Sequence, residues 1–352
     1  FGDGVNWGKL QDTGVALLIS PLIGFGASAL LLLVFKFLVR RPELFAEPTK
    51  GAAPSPWVRG LLILTCTGVS FAHGSNDGQK GMGLILLILI GVVPGVYALD
   101  LGLGSKDVAS IVAQNAAVGT ALQRLAGNDP VNAKESSDIL NAFLKSSGNV
   151  SSQTIPAIEE KNAEIGSLLR GKATLADVPK DARAGLRSDV YLVSASLAKL
   201  QKKHPPADPA DAKLLAGYKK SLDRMTNFIP TWVKFAVALC LGLGTMIGWK
   251  RIVVTVGERI GKSHLTYGQG ASAEIVAYGT IQAADIFGLP VSTTHILSSG
   301  VAGTMAANHS GLQANTLRNI LLAWVLTLPV CVFLGSLLFA FGLRIVAALG
   351  MH

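Results

Sequence analysis

The sequence predicts an all-α polytopic membrane protein with a mostly helical hydrophilic insert, and three observations carry that prediction. Half of the 352 residues are hydrophobic and only 15% are charged, where a soluble chain carries about 25%. Apolar runs long enough to span a bilayer recur, with Lys and Arg gathered at their ends. Between the runs, charges of both signs alternate with Ala and Leu at helical spacing, as in "SSDILNAFLKSSG" and "DAKLLAGYKKSLDRM". The net charge of +9 is scattered over span ends rather than drawn into one basic stripe, which argues against nucleic acid as a partner.

In chain order, "FGDGVNWGKLQD" has no initiator Met and no signal-peptide pattern, so the chain is expected to begin partway into a protein. Gly14–Val39 is an apolar run broken only by Pro21 and Lys36, long enough to cross with some tilt. It ends at Arg40-Arg41. A short Pro-rich loop with Lys50 leads to Arg59, and a second apolar region reaches Leu99. Residues 100–228 form the insert, with a Pro-rich break at "KKHPPADPAD". Pro230–Trp249 returns to the membrane, and "KRIVVTVGERIGKSHLTYGQG" reads as a short basic loop. Gly270–Ala307 is rich in small residues and interrupted at Gly288, Pro290 and "STTH"; Leu317–Leu349 is a last span, kinked at Pro329 and Gly335. The expected domains are membrane spans over 1–99, the insert over 100–228, and membrane spans over 229–352.

Loop charge sets the orientation. Arg40, Arg41, Lys50 and Arg59 mark one short loop, and Lys250, Arg251, Arg259 and Lys262 mark another. Both are expected to face the cytoplasm, so an even number of crossings separates them. Arg59–Leu99 then crosses once, as a broken helix, Pro230–Trp249 crosses back, and the insert is extracytoplasmic. Cys66, Cys240 and Cys331 lie far apart in apolar segments without ligand spacing, and read as buried thiols.

Two motifs carry chemistry. The first, "FAHGSNDGQKGMG" over Phe71–Gly83, puts Asn76 and Asp77 inside the second apolar region. An Asp at mid-membrane depth costs roughly 2.5–3.5 kcal/mol on insertion scales. Gly74, Gly78, Gly81 and Gly83 would loosen the helix and free carbonyls for a cation beside the carboxylate; the alternative is a water-facing turn between two spans. The second motif, "LPVSTTHILSSGVAG" over Leu289–Gly303, places Pro290 in the first turn of a helix with Ser292, Thr293 and Thr294, a ready anion site. An ordinary cap and kink is the alternative. Glu274 and Asp285 stand in an apolar segment, as proton relays or snorkelling residues.

Other patterns are decoys. "GERIGKS" is one residue short of a P-loop and follows no strand, and the triplets at Asn149 and Asn308 are too short to argue glycosylation. No nucleophile and base share a spacing that would mark an enzyme.

Together the two motifs resemble the inorganic phosphate transporter family, the Pit type, and "GSNDGQK" resembles its bacterial low-affinity branch. The linking "TVGERIGK" and "QGASAE" match as well, so the resemblance covers roughly 1–99 and 229–352. It implies an inverted-repeat secondary transporter with broken helices and a re-entrant-type helical hairpin, multi-pass in the cell inner membrane. The implied activity is import of inorganic phosphate as a neutral metal–phosphate complex, with protons and a divalent metal such as Mg2+ as coupled ions, and sodium as the alternative. Carried over by position, Asn76 and Asp77 serve the coupling ion or metal, and Ser292, Thr293 and Thr294 hold phosphate. His73, Ser75, Gln79, Lys80, Glu274 and His295 are supporting candidates. No permanently bound cofactor is implied. The family has each motif twice and this chain has each once, so it resembles the second repeat, with the first-repeat half of the transporter as an expected partner besides a possible second copy of the chain. A channel or receptor-like protein whose insert binds ligand is the other class of reading.

Overall fold

The computed structural model describes residues 7–48, 53–126, 133–145 and 150–348. Lys50, Asn149 and residues 1–6, the first half of "FGDGVNWGKLQD", lie outside the described residues. The described residues are all-helical, in two compact units: Phe1–Gly83 with Thr231–Leu338, and Leu84–Pro230 with Phe339–His352.

In the first unit, α1 (Trp7–Leu38) carries Pro21 inside it, and α2 (Pro56–Val92) runs on into the second unit. Then come α9 (Thr231–Met246), α10 (Trp249–Glu258), α11 (Tyr267–Phe287), α12 (Thr293–Ala307) and α13 (Ala314–Ala348). Among the described residues, Leu10–Leu38 and Ala314–Ala348 are helices long and apolar enough to cross a membrane on their own. Their large side chains point outward: Leu18, Leu22, Phe37, Val325, Phe333 and Leu338 are exposed. An apolar exterior is what a lipid solvent selects. It also corrects the expectation for the thiols, because Cys66, Cys240 and Cys331 are all exposed on such surfaces.

Small residues let α1 and α12 touch. A Cβ added at Gly24 would meet the Ile296 carbonyl oxygen at 2.5 Å, and one at Gly300 the Ser28 Oγ at 2.7 Å. The contacts ascend together along both helices, ending where Lys36 Nζ donates to Asn308 Oδ1 at 2.5 Å, so α1 and α12 run parallel. This is the close backbone approach typical of helix pairs that have no hydrophobic drive to associate.

α11 and α12 form a helical hairpin. Gly288, at φ 64°, ends α11, and Ser292 caps α12 by accepting from the His295 N–H. Pro290 therefore sits ahead of the cap rather than in the first turn, a correction to the sequence reading. At the far end, Lys262 N–H donates to the Gly311 carbonyl at 3.2 Å and Gln313 N–H to that of Ile260 at 2.9 Å. The segment thus leaves and returns at one place. "GERIGKS" ends in this bridge, not in a strand–loop–helix.

Two expectations about breaks are corrected. α2 is one unbroken helix through the first motif, so no unwound turn frees its carbonyls. The break lies instead after α9, where Gly248 takes φ 82° and α10 restarts at Trp249. The expected basic loop is accordingly helical over much of its length. The last span runs unbroken past Pro329 and Gly335.

The second unit contains α3 (Pro94–Tyr97), α4 (Ser105–Ala126), α5 (Ala133–Lys145), α6 (Thr154–Leu169), α7 (Arg183–Lys203) and α8 (Pro209–Thr226). Its core gathers Leu122, Leu140, Ile158, Ile165, Leu186, Val193, Leu197 and Leu222. Asn115 is a buried hub: its Nδ2 donates to the Asn162 carbonyl at 2.8 Å and to Tyr218 Oη at 2.8 Å, tying α4, α6 and α8. Burial pushes the Tyr218 hydroxyl above its ordinary range. The two ends of the 100–228 segment meet, since Asp100 N–H donates to the Met225 carbonyl at 2.8 Å and Arg187 reaches both Ala98 and Thr226 carbonyls.

Candidate functional site

The two motifs come together inside the first unit. On α2, residues four apart share a face, and His73 Nε2 lies 2.8 Å from Asp77 Oδ2. The same His73 nitrogen is 3.4 Å from Thr293 Oγ1, at the start of α12. One turn on, Lys80 Nζ stands 3.5 Å from Asp77 Oδ1 and donates to the Val291 carbonyl at 2.8 Å. Asn76, only 5% exposed, donates from Nδ2 to Asp285 Oδ1 at 2.5 Å, near the end of α11. α2 thus holds the hairpin tip at Asp285, Val291 and Thr293.

Asp77 is the most heavily contacted group. Both Asp77 oxygens are engaged, one by an imidazole and one by an ammonium. Lys80, tied to a main-chain carbonyl as well, bridges the two motifs. Asn76 Oδ1 is buried and has no protein partner, which leaves one acceptor open beside the Asp285 carboxylate.

The hydroxyl triad divides. Thr293 is 3% exposed and turns towards α2. Ser292, Thr294 and His295 line a separate cavity of about 540 Å3. The His295 ring stacks on Trp324 at 4.0 Å, with its Nδ1 buried and unpartnered.

Other candidates fall outside this cluster. Gln79 Nε2 donates to Ser75 Oγ at 3.4 Å, which pairs these two with each other. Glu274 accepts from Thr65 Oγ1 at 2.5 Å, and Thr65 precedes Asp77 by about three turns of helix, roughly 18 Å. Among the described residues no group of three or more His, Cys, Asp or Glu side chains is placed to hold a metal. Sequence reasoning left Asp285 undecided and missed Trp324. An aspartate eleven residues from Glu274 on the same helix was the available signal for Asp285; Trp324 gave none.

Comparison with known proteins bears on this cluster. The model of the phosphate transporter family matches residues 1–335. A "low-affinity inorganic phosphate transporter" of Buchnera aphidicola subsp. Acyrthosiphon pisum (strain APS) is 37% identical over 350 residues, covering 96% of this chain and 69% of that protein. The "low-affinity inorganic phosphate transporter PitA" of Escherichia coli (strain K12) is 35% identical over 370 residues, covering 97% and 71%. A "probable low-affinity inorganic phosphate transporter" of Bacillus subtilis (strain 168) is 41% identical over 118 residues, covering 33% and 35%. No solved structure matches the chain.

Proposed function

This chain belongs to the phosphate transporter family, and on that premise we propose that it imports inorganic phosphate as a neutral metal–phosphate complex driven by protons. It is a membrane transport protein and not an enzyme. The observation that supports the finer reading is the junction at which His73 stands between Asp77 and Thr293, joining a carboxylate to a helix N-terminus.

In this reading Asp77 and Asn76 receive the cation of the complex. The cation displaces His73 and Lys80 from the carboxylate, and the freed Lys80 remains near the anion. Thr293, Ser292 and Thr294 supply hydroxyls, and the first turn of α12 supplies backbone N–H groups whose aligned dipoles favour an oxyanion. A neutral cargo limits the desolvation cost that two separate ions would meet. The α11–α12 hairpin, with its joined ends, is read as re-entrant, its tip reaching the depth at which α2 presents Asp77. The family's inverted-repeat plan and a location in the cell inner membrane complete the proposal, with the other repeat's copy of the motifs closing the site.

Labelled-phosphate uptake by the full-length protein in vesicles tests it, with and without Mg2+, at imposed pH or sodium gradients. Uptake is expected to require Mg2+ and a pH gradient, to collapse in Asp77→Asn, and to weaken about tenfold in Thr293→Val, the loss of one hydrogen bond to a charged ligand. Unaltered uptake in both variants sinks the site assignment. Uptake that needs sodium and ignores pH sinks the coupling.

A further inference from the structure

The cavity beside Ser292 and Thr294 has a feature outside both motifs. Its other wall is α10, which contributes Gly248, Arg251 and Thr255, while α13 contributes Trp324 and Thr327. A second cavity of about 600 Å3 shares Gly248, Arg251 and Thr255 and adds Lys250 and Arg259. No carboxylate is among the described residues lining either. Arg251, in the first turn of α10, makes no ion pair with any described residue.

The backbone explains why this cation faces the motif. The chain breaks at Gly248 in the left-handed conformation, open to glycine because it has no Cβ. α10 therefore starts beside the start of α12, and two helix N-termini open on one cavity together with the Ser292, Thr294, Thr255 and Thr327 hydroxyls. Guanidinium is the side chain best shaped for an oxyanion, with planar paired donors and permanent charge.

Resting on the phosphate reading above, we propose that Arg251 is a phosphate-contacting residue: it takes the oxyanion held by Ser292 and Thr294 and opens its path to the vestibule lined by Lys250 and Arg259. The ligand is the phosphate oxyanion itself, and the residue sets affinity for it.

The test uses the full-length protein in proteoliposomes, with uptake measured over a range of phosphate concentrations. Arg251→Gln is expected to raise the phosphate KM about tenfold or more, and Arg251→Lys by less, since an ammonium keeps charge but loses the paired donors. In a background with Cys66, Cys240 and Cys331 replaced, phosphate but not chloride is expected to slow labelling of Arg251→Cys by a small cationic thiol reagent. Should Arg251→Gln yield no protein, the Arg251→Lys KM and the protection assay decide. An unchanged KM in these variants with no protection, beside normal uptake by the parent protein, overturns this proposal and leaves the phosphate reading intact. A parent protein that carries no phosphate overturns both.

Discussion

Gly303 is where a single atom decides the packing of the first unit. A Cβ there would collide with the Phe25 carbonyl oxygen, and a backbone oxygen cannot swing aside as a side chain can. Gly279, on α11, has open space around it. The two positions therefore separate a steric role from helix propensity. Gly303→Ala is expected to destabilise the protein by about 1–3 kcal/mol through overpacking, whereas Gly279→Ala gains about 0.5–1 kcal/mol from a stiffer unfolded chain. Thermal unfolding in detergent checks both. Equal melting temperatures for the two variants would show that α1 and α12 do not pack as described. The sequence displays "SSGVAG" but does not say which face of α12 its glycines serve, because that depends on Ser28 and Phe25 of α1, far away in the chain.

At the scale of helices, the amino-acid order revealed which segments are apolar far better than where they break. The two motifs, the helical character of residues 100–228 and the interruption at Gly288 were legible from period, polarity and turn residues, whereas the hairpin was implied only by the family resemblance. The break assigned to Gly74–Gly83 was not there, and physical reasons can be named. Glycines inside a helix cost only about 1 kcal/mol each, and Val69 and Ala72 on α2 pack with Ala277, Ile281 and Ala284 on α11. Gly248 differs because it follows the last apolar residues of α9, the place where helices stop in the left-handed conformation. Substitution tests this, since nothing lies within 4 Å of a Cβ added at Gly248 and only its φ matters. Phosphate uptake should rank Gly248→Asn above Gly248→Ala above Gly248→Val, because Asn visits positive φ and a β-branched residue does so at greatest cost, about 1–2 kcal/mol. Equal uptake in the three would mean that the elbow is dispensable.

At the scale of the whole chain, the second unit explains how a large hydrophilic segment can interrupt a membrane protein. The two ends of its hydrophilic part, residues 100–228, meet where Asp100 bonds Met225, and Arg187 fastens both. A unit that starts and finishes at one point can be carried between two spans without separating them. Inside it, Lys161 is nearly buried between Glu164 at 2.7 Å and Asp189 at 3.2 Å. Burial opposes its charge, yet the two carboxylates hold its pKa above the ordinary lysine range. Such a paired ion belongs to a folded domain rather than a linker. Loop charge carries the expectation that the two basic segments flanking this domain in sequence face the cytoplasm and that residues 100–228 lie outside it. With the native thiols replaced, an impermeant maleimide added to right-side-out vesicles should label Ser152→Cys in the insert. It should reach Glu47→Cys, beside the Arg40-Arg41 end of α1, only after the membrane is permeabilised; the reverse pattern would place the insert in the cytoplasm and undo the single crossing of α2.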